Sequence, residues 1–315
     1  MEEVNIPQSP STTTDAKTEE TVFQAVWIGG SGISKPQDIA DLQPTLSKIL
    51  RVPEENGRLK ITNDTNLLAS PLYSYPDAST AVVVIAGTGS NVSAFRKAEQ
   101  GTLEGCGQMG GWGWILGNEG SGFDVGKEAL QLVLRTADQA SCRDTSSQPK
   151  RNDSQLEKVV FAHFGIQSAY ELFSVIYAPE PASQNASKRT QAIEGLLAME
   201  RKHRISTLTP AIFDLAFIHS DSDALSILHS SSHRLAQAIQ ALVGRDNKRH
   251  IDPSKAVLCF GGSLVGVESY RQLILDDLKR EGIEFLGATC VRDAAAEGAQ
   301  NLARTFENLE LVEAR

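Results

Sequence analysis

Apolar positions along the chain fall into alternating short runs and helical stripes. Residues 22–28 form a short apolar run closed by Gly29-Gly30-Ser31-Gly32, which predicts a strand entering a turn. Ile39, Leu42, Leu46, Ile49 and Leu50 recur near helical spacing and predict a helix over 39–50. Residues 59–62 read as a second strand ending at Asn63 and Asp64, with Asp64 placed to cap a helix that reaches Ala69. Strand, helix, strand, helix at this spacing implies a parallel sheet. Trp27 is expected in its core.

Residues 81–86 are the most β-branched run in the chain and predict a central buried strand. Residues 92–97 and 102–106 continue it as a meander. A long amphipathic helix is expected over 119–137, carrying Phe123, Leu130, Val133 and Leu134. Residues 139–155 read as a polar loop, and 156–233 as mostly helical with a break near 179–188. Residues 256–260 predict another buried strand, closed by Gly261-Gly262-Ser263, and a helix over 267–280 follows. The last helix, 293–309, opens with Ala294, Ala295, Ala296, Gly298 and Ala299, small residues that allow close packing on another element. No internal repeat at a fixed period is found.

Composition narrows the class. The chain has 315 residues, enough for two domains, with 41% hydrophobic and 22% charged residues. A net charge of −9 disfavours nucleic-acid and anionic-membrane partners. No apolar run approaches the ~18 residues a membrane span needs. Residues 1–20 are polar, lack a secretory pattern and read as a disordered tail. Cys106, Cys142, Cys259 and Cys290 lie far apart without metal or redox spacing, which suits a reduced, cytoplasmic setting. The N-x-S/T triplets at Asn63, Asn91, Asn152 and Asn185 then carry no glycosylation signal. The six histidines show no metal spacing either, so no protein-built metal site is expected. Nothing in the sequence decides between a monomer and a homodimer.

Four segments could carry chemistry. Directly after the buried strand comes Ala86-Gly87-Thr88-Gly89-Ser90-Asn91. Two glycines flanking a hydroxyl residue let backbone N–H groups converge on an anion, so a phosphate cradle competes with a plain hairpin turn. The P-loop pattern G-x-x-x-x-G-K-[ST] is absent. Next, residues 110–120 hold Gly110, Gly111, Gly113, Gly117 and Gly120 with Trp112 and Trp114. A tryptophan set among glycines suits the face of a sugar ring, and the alternative is a glycine-rich turn around a buried tryptophan. Asn118 and Glu119 are placed at the start of the following helix. Third, Asp64 stands at the carboxyl end of a parallel strand, where ligands of open α/β sheets bind; it can orient a hydroxyl as a base or cap the helix. Fourth, Gly261-Gly262-Ser263 repeats the strand-then-glycine design and could equally be a βα turn.

These pieces in this order resemble the N-acetylglucosamine kinase family, in the BadF/BadG-type branch of the actin/hexokinase/Hsp70 ATPase superfamily. The carrying segments are AGTGSN, GGWGWILGNEGSG and VLCFGGS, with the small-residue C-terminal helix. The resemblance implies an α/β fold of two ribonuclease-H-like (actin-like ATPase) domains that close on ATP, Mg2+ and an amino sugar. The first domain would be a truncated one over 21–80 with the returning helix 293–309, and the second would span 81–292. The implied activity is ATP-dependent phosphorylation of N-acetylglucosamine at the 6-hydroxyl. By the same resemblance Asp64 is the general base and a substrate contact. The second phosphate loop falls on Gly87, Thr88 and Gly89, and the adenosine loop on Gly261 and Gly262. Amino-sugar contacts fall on Ser90, Asn91, Gly111, Trp112, Gly113 and Asn118.

Two departures qualify that expectation. Asn118 stands where the family has Asp, so one acceptor is kept, the charge is lost and donors are gained. The family's opening hairpin with D-x-G-x-T, its first phosphate loop, has no counterpart in the sequence. Phosphoryl transfer rests on positioning and electrostatics, so its absence bears directly on activity. A second reading is therefore a catalytically impaired relative that binds sugar or nucleotide and regulates something else. A third, a dehydratase-activating ATPase, would need clustered cysteines for an iron–sulfur centre, and these are scattered.

Overall fold

The computed structural model describes residues 23–33, 35–54, 57–98, 102–142, 154–179, 195–243 and 251–313. The tail expected over 1–20, the triplets at Asn152 and Asn185, and most of the helical break near 179–188 lie outside them.

Two sheets organise the described residues. In the first, β1 (Val26–Gly30) and β2 (Leu59–Asn63) run parallel, with Val26 opposite Leu59 and Gly30 opposite Asn63. The two-residue pleat sorts their side chains. Val26, Ile28, Leu59 and Ile61 pack with Ile39, Leu46, Leu50 and Val52 beneath α1 (Pro36–Leu50). Trp27, Gly29, Lys60 and Thr62 take the opposite face. There α2 (Asp64–Leu68) and the C-terminal helix meet them: a Cβ on Gly29 would lie 2.4 Å from a Leu67 methyl, and one on Gly298 would lie 2.5 Å from the other. Glycine at both positions leaves room for the one leucine side chain packed between them.

The second sheet has the order β5-β4-β3-β6-β7. β3 (Thr80–Ala86), β4 (Ser90–Lys97) and β5 (Leu103–Gly110) form the antiparallel meander, while β6 (Ala256–Gly261) and β7 (Gly287–Cys290) run parallel to β3. β3 is buried on both faces. Val82, Val84 and Ala86 join the large core, and Ala81 and Val83 the smaller one. Burying each valine or leucine contributes about 1.5–3 kcal/mol, which explains why this strand reads so clearly from its residues.

Helices α3 (Gly122–Ser141), α4 (Gln155–Phe164), α5 (Leu172–Ile176), α6 (Arg201–Ser206), α7 (Thr209–Phe217), α8 (Ser222–Val243) and α9 (Glu268–Arg280) build the large core. Arg204 is fully buried there and donates to the carbonyls of Val175, Leu196 and Met199, tying the end of α5 to the approach of α6. The last helix, α10 (Ala294–Glu313), returns to pack on β1, α2 and the 3-10 turn Ser70–Ser74. No single helix among the described residues is long and apolar enough to cross a membrane. The four cysteines are free thiols.

Several local expectations are corrected. Asn63, not Asp64, caps α2: its extended backbone lets its side-chain oxygen accept the Thr65 N–H at 3.0 Å. α3 begins at Gly122 with Ser121 as its cap, three residues later than expected, because Asn118 and Gly120 have positive φ (69° and 79°) and cannot be helical. It also runs through Ser141 into the stretch read as loop. Gly29 and Gly30 belong to β1 rather than a turn. Trp27 is only half-buried. Gly110 closes β5, which runs beyond Cys106, and β7 was not anticipated.

Candidate active site

The loop between β3 and β4 is a three-residue turn. The Gly87 N–H donates to the Gly89 carbonyl at 2.9 Å. The start of α3 docks onto this loop: Gly122 donates to the Gly87 carbonyl at 2.8 Å and Phe123 to that of Thr88 at 3.4 Å. The N–H groups of Thr88 and Gly89 have no partner among the described residues. The result is a pinned loop with two free donors, a geometry suited to an anion.

The second glycine loop backs the first. Gly262 has φ 107°, and a Cβ there would lie 2.5 Å from the Ala86 carbonyl oxygen and 3.2 Å from the Gly87 nitrogen. Leu264 donates to that same carbonyl at 2.9 Å. Gly261 has a different reason to be glycine: a Cβ would lie 2.8 Å from a Leu68 methyl, so α2 seats on the end of β6. Gly87 and Thr88 open onto a cavity of about 320 Å³, whose wall includes Ser206, Pro210, Asp214 and Ser263 as well as Thr209, Phe213, Leu264 and Val267. The last four were invisible in the sequence. α7 reads as a plain apolar helix, and only its packing against the loop turns Thr209 and Phe213 inward. Thr209 is anchored by donating to the Gly122 carbonyl at 2.7 Å.

The other side of the glycine turn is lined by amides. Asn118 is 4% exposed and sits in the left-handed region at φ 69°. Its amide lies 3.3 Å from where a Gly89 Cβ would be. Its Nδ2 is buried without a partner, and so is Asn91 Oδ1. Gly111 leaves room for Asn91, since a Cβ would lie 3.3 Å from the Asn91 Cγ. Buried polar atoms without partners are rare and costly, so two beside one loop single it out as a candidate site. Ser90 differs: its hydroxyl donates to the Glu119 carbonyl at 2.6 Å and stitches the two loops together. Trp112 is 61% exposed beside Gly113, whereas Trp114 is the packed one, edge-on to Phe123 at 5.5 Å.

Beneath the amides lies a charged brace that sequence inspection missed. Asp124, buried in the first turn of α3, accepts the Gly120 N–H at 2.8 Å and Arg234 Nη2 at 2.7 Å. Tyr270 adds its hydroxyl to the Gly120 carbonyl at 3.2 Å and shares a hydrogen bond with Ser231. Burial, with the negative field of Asp124 and Glu128, pushes its phenol pKa up. The hint in the sequence was a helix-start acid paired with a basic residue more than a hundred positions away, which no local pattern reveals.

Asp64 opens α2 at the carboxyl end of β2, exposed, with no side-chain partner among the described residues. Because Asn63 does the capping, its carboxylate is free. It lies one helical turn before Leu68, the residue that seats on Gly261. The two glycine loops and the amide loops thus adjoin around residues 86–91, while Asp64 stands on the neighbouring sheet. Among the described residues no three acidic, histidine or cysteine side chains gather as a metal site.

No protein-family model matches the chain. It is 22% identical over 247 residues to an N-acetylmuramic acid/N-acetylglucosamine kinase from Clostridium acetobutylicum, covering 78% of this chain and 66% of that protein. It is 29% identical over 148 residues to an N-acetyl-D-glucosamine kinase from Dictyostelium discoideum, covering 47% of this chain and 43% of that one. The chain therefore matches just under two thirds of the first relative's length and less than half of the second's. Its fold is similar to that of a candidate N-acetylglucosamine kinase from Porphyromonas gingivalis, with a TM-score of 0.55 at 18% identity over 90% of this chain and 78% of the other. In sequence and in its actin-like α/β fold, this chain is similar to the N-acetylglucosamine kinases.

Proposed function

We propose that the chain is an ATP-dependent amino-sugar kinase that phosphorylates N-acetylglucosamine at the 6-hydroxyl. The observation that carries this reading is the pair of unpartnered amide atoms, Asn91 Oδ1 and Asn118 Nδ2, beside the pinned glycine turn. One is an acceptor and the other a donor. An acetamido group offers the complement of both, and the exposed Trp112 supplies an apolar face next to them. The cavity lined by Gly87, Thr88, Phe213 and Val267 fits the nucleotide, with the free N–H groups of Thr88 and Gly89 toward its phosphates.

ATP supplies the phosphoryl group, and Mg2+ neutralises charge on the phosphates. Among the described residues no three carboxylate, histidine or cysteine side chains gather, so a Mg2+ would have to be held mainly through phosphate oxygens and water. In this reading Asp64 accepts the proton of the sugar 6-hydroxyl and holds the oxygen for attack. Asn118 and Asn91 orient the ring, and the Asp124–Arg234 brace keeps the Gly120 loop in place.

The test is ATP-dependent phosphorylation of N-acetylglucosamine by the purified chain, with sugar binding followed separately by calorimetry. Asp64→Asn should lower kcat by about 10²–10⁴-fold and leave sugar affinity nearly unchanged. Sugar binding without turnover in the unmutated chain would sink the kinase reading and favour a binding role. An undiminished Asp64→Asn variant would remove Asp64 as the base.

A further inference from the structure

We propose that the aromatic row along α5 is a docking face for a second copy of this chain, paired about a two-fold axis. The row is separate from the glycine loops. Leu172, Val175 and Ile176 of α5 are buried in the large core, and Arg204 fixes the end of that helix by donating to the Val175 and Ala178 carbonyls at 2.7 and 3.3 Å. Tyr170, Phe173 and Tyr177, spaced three and four residues apart, therefore share the opposite face. They are 49%, 48% and 68% exposed. Their rings form a continuous row: Tyr170 and Phe173 lie 6.4 Å apart at 25°, and Phe173 and Tyr177 lie 6.3 Å apart at 32°. A single exposed apolar side chain is ordinary, but three aligned rings make a patch of the kind that marks an interaction surface.

The charges at the ends of the row select the occupant. At one end the Tyr170 hydroxyl donates to Asp138 Oδ1 at 2.9 Å, in the last turn of α3, and Glu171 adds a second exposed carboxylate. At the other end the Arg201 guanidinium stands 5.9 Å from the centre of the Tyr177 ring, held by its Nε–H on the Ile176 carbonyl at 3.2 Å. The row is thus acidic at one end and basic at the other. A two-fold axis through Phe173 reverses the second copy, so each Arg201 meets the Asp138 end of its partner while the rings meet one another. Such self-complementarity is what an isologous dimer requires. A proline-rich peptide or a sugar chain would use the rings but has no need of opposite charges at the two ends.

The size of the patch sets its strength. A whole aromatic side chain offers ~150–250 Å², so the half-exposed row supplies roughly 300 Å² per copy. A standard interface buries ~800 Å² per partner. The dimer is therefore expected to be weak and to form in the micromolar range.

The experiment is sedimentation velocity of the full chain from ~1 to ~200 μM, with circular dichroism as the check on folding. The unmutated chain is expected to pass from monomer to dimer across that range. Phe173→Glu places two carboxylates at the axis and should abolish association. Arg201→Glu and Asp138→Lys should each weaken it at least ~10-fold by setting like charges opposite one another. An equimolar mixture of these two variants should dimerise again, because the mixed pair restores both charge contacts. A chain that stays monomeric at every concentration would overturn the proposal. So would association that survives Phe173→Glu, which places the contact elsewhere, and so would a mixture that associates no better than either variant alone.

Discussion

Arg234 Nη2 lies 2.7 Å from Asp124 Oδ2, and that same oxygen accepts the N–H of Gly120 at 2.8 Å. The pair joins α8 to the loop that carries Asn118, across 110 positions of sequence. Lys127 reaches the other Asp124 oxygen at 3.2 Å, and Arg234 also pairs with Glu128. Arg234 is partly exposed and keeps Glu128 as a partner, so removing Asp124 does not strand a buried charge. Asp124→Ala should therefore lower stability by about 1–3 kcal/mol in urea unfolding, through the lost charge-assisted hydrogen bonds to Gly120 and Arg234. Any folded fraction should bind sugar more weakly, since Gly120 is no longer held.

Gly262 and Gly113 separate two reasons for glycine. Both have positive φ, but a Cβ on Gly262 would collide with the Ala86 carbonyl, whereas one on Gly113 meets open space. Gly113→Ala should cost only the backbone penalty, about 1–2 kcal/mol. Gly262→Ala should cost ~2 kcal/mol or more and displace the Gly87 turn. Nucleotide affinity measured by calorimetry should fall for the second variant and stay nearly constant for the first.

Asn118→Gly should split function from stability. The left-handed backbone suits glycine, and the change removes a buried amide that has no partner. Thermal stability is expected to hold or rise, while sugar affinity falls about 10-fold through loss of one or two hydrogen bonds. A variant that binds sugar as well as the parent would show that the Asn118 amide faces no ligand.

Lys60 gives a pH signature. Its pKa is lowered to about 8 from 10.5 by burial, so between these values the unfolded chain binds more protons than the folded one. Stability then rises with pH across that window. The Cys259 thiol, pushed up by burial to about 12 from 9.0, acts with the opposite sign above pH 9. Lys60→Met isolates the lysine: its stability advantage over the parent should be largest near pH 7 and shrink towards pH 10. Paired urea midpoints at the two ends of that range check it.

The elements most legible in the sequence were those whose stabilisation is local. The β-branched β3 and the helical stripe of α1 are written in residue type and period, because burial and propensity act within a few positions. The glycine turn at 87–89 could be read as a tight turn after a buried strand for the same reason. β7, by contrast, has half-exposed residues and no apolar signal, and gains its place only by pairing with β6. The start of α3 was misplaced because the positive φ of Asn118 follows from loop packing rather than from a helix-breaking residue.

By itself, then, the sequence determined the order of the strands up to β6 and of the long helices, the two glycine loops, and the presence of an acid after β2. Only the tertiary structure decided what surrounds them. It put Thr209 and Phe213 on the cavity wall, gave the cap of α2 to Asn63 so that Asp64 is free, and joined Asp124 to Arg234. The physical reason is the range of the forces involved. Periodicity and turn chemistry act over a few residues, whereas desolvation, close backbone approach and buried ion pairing depend on which distant segments the core brings into contact.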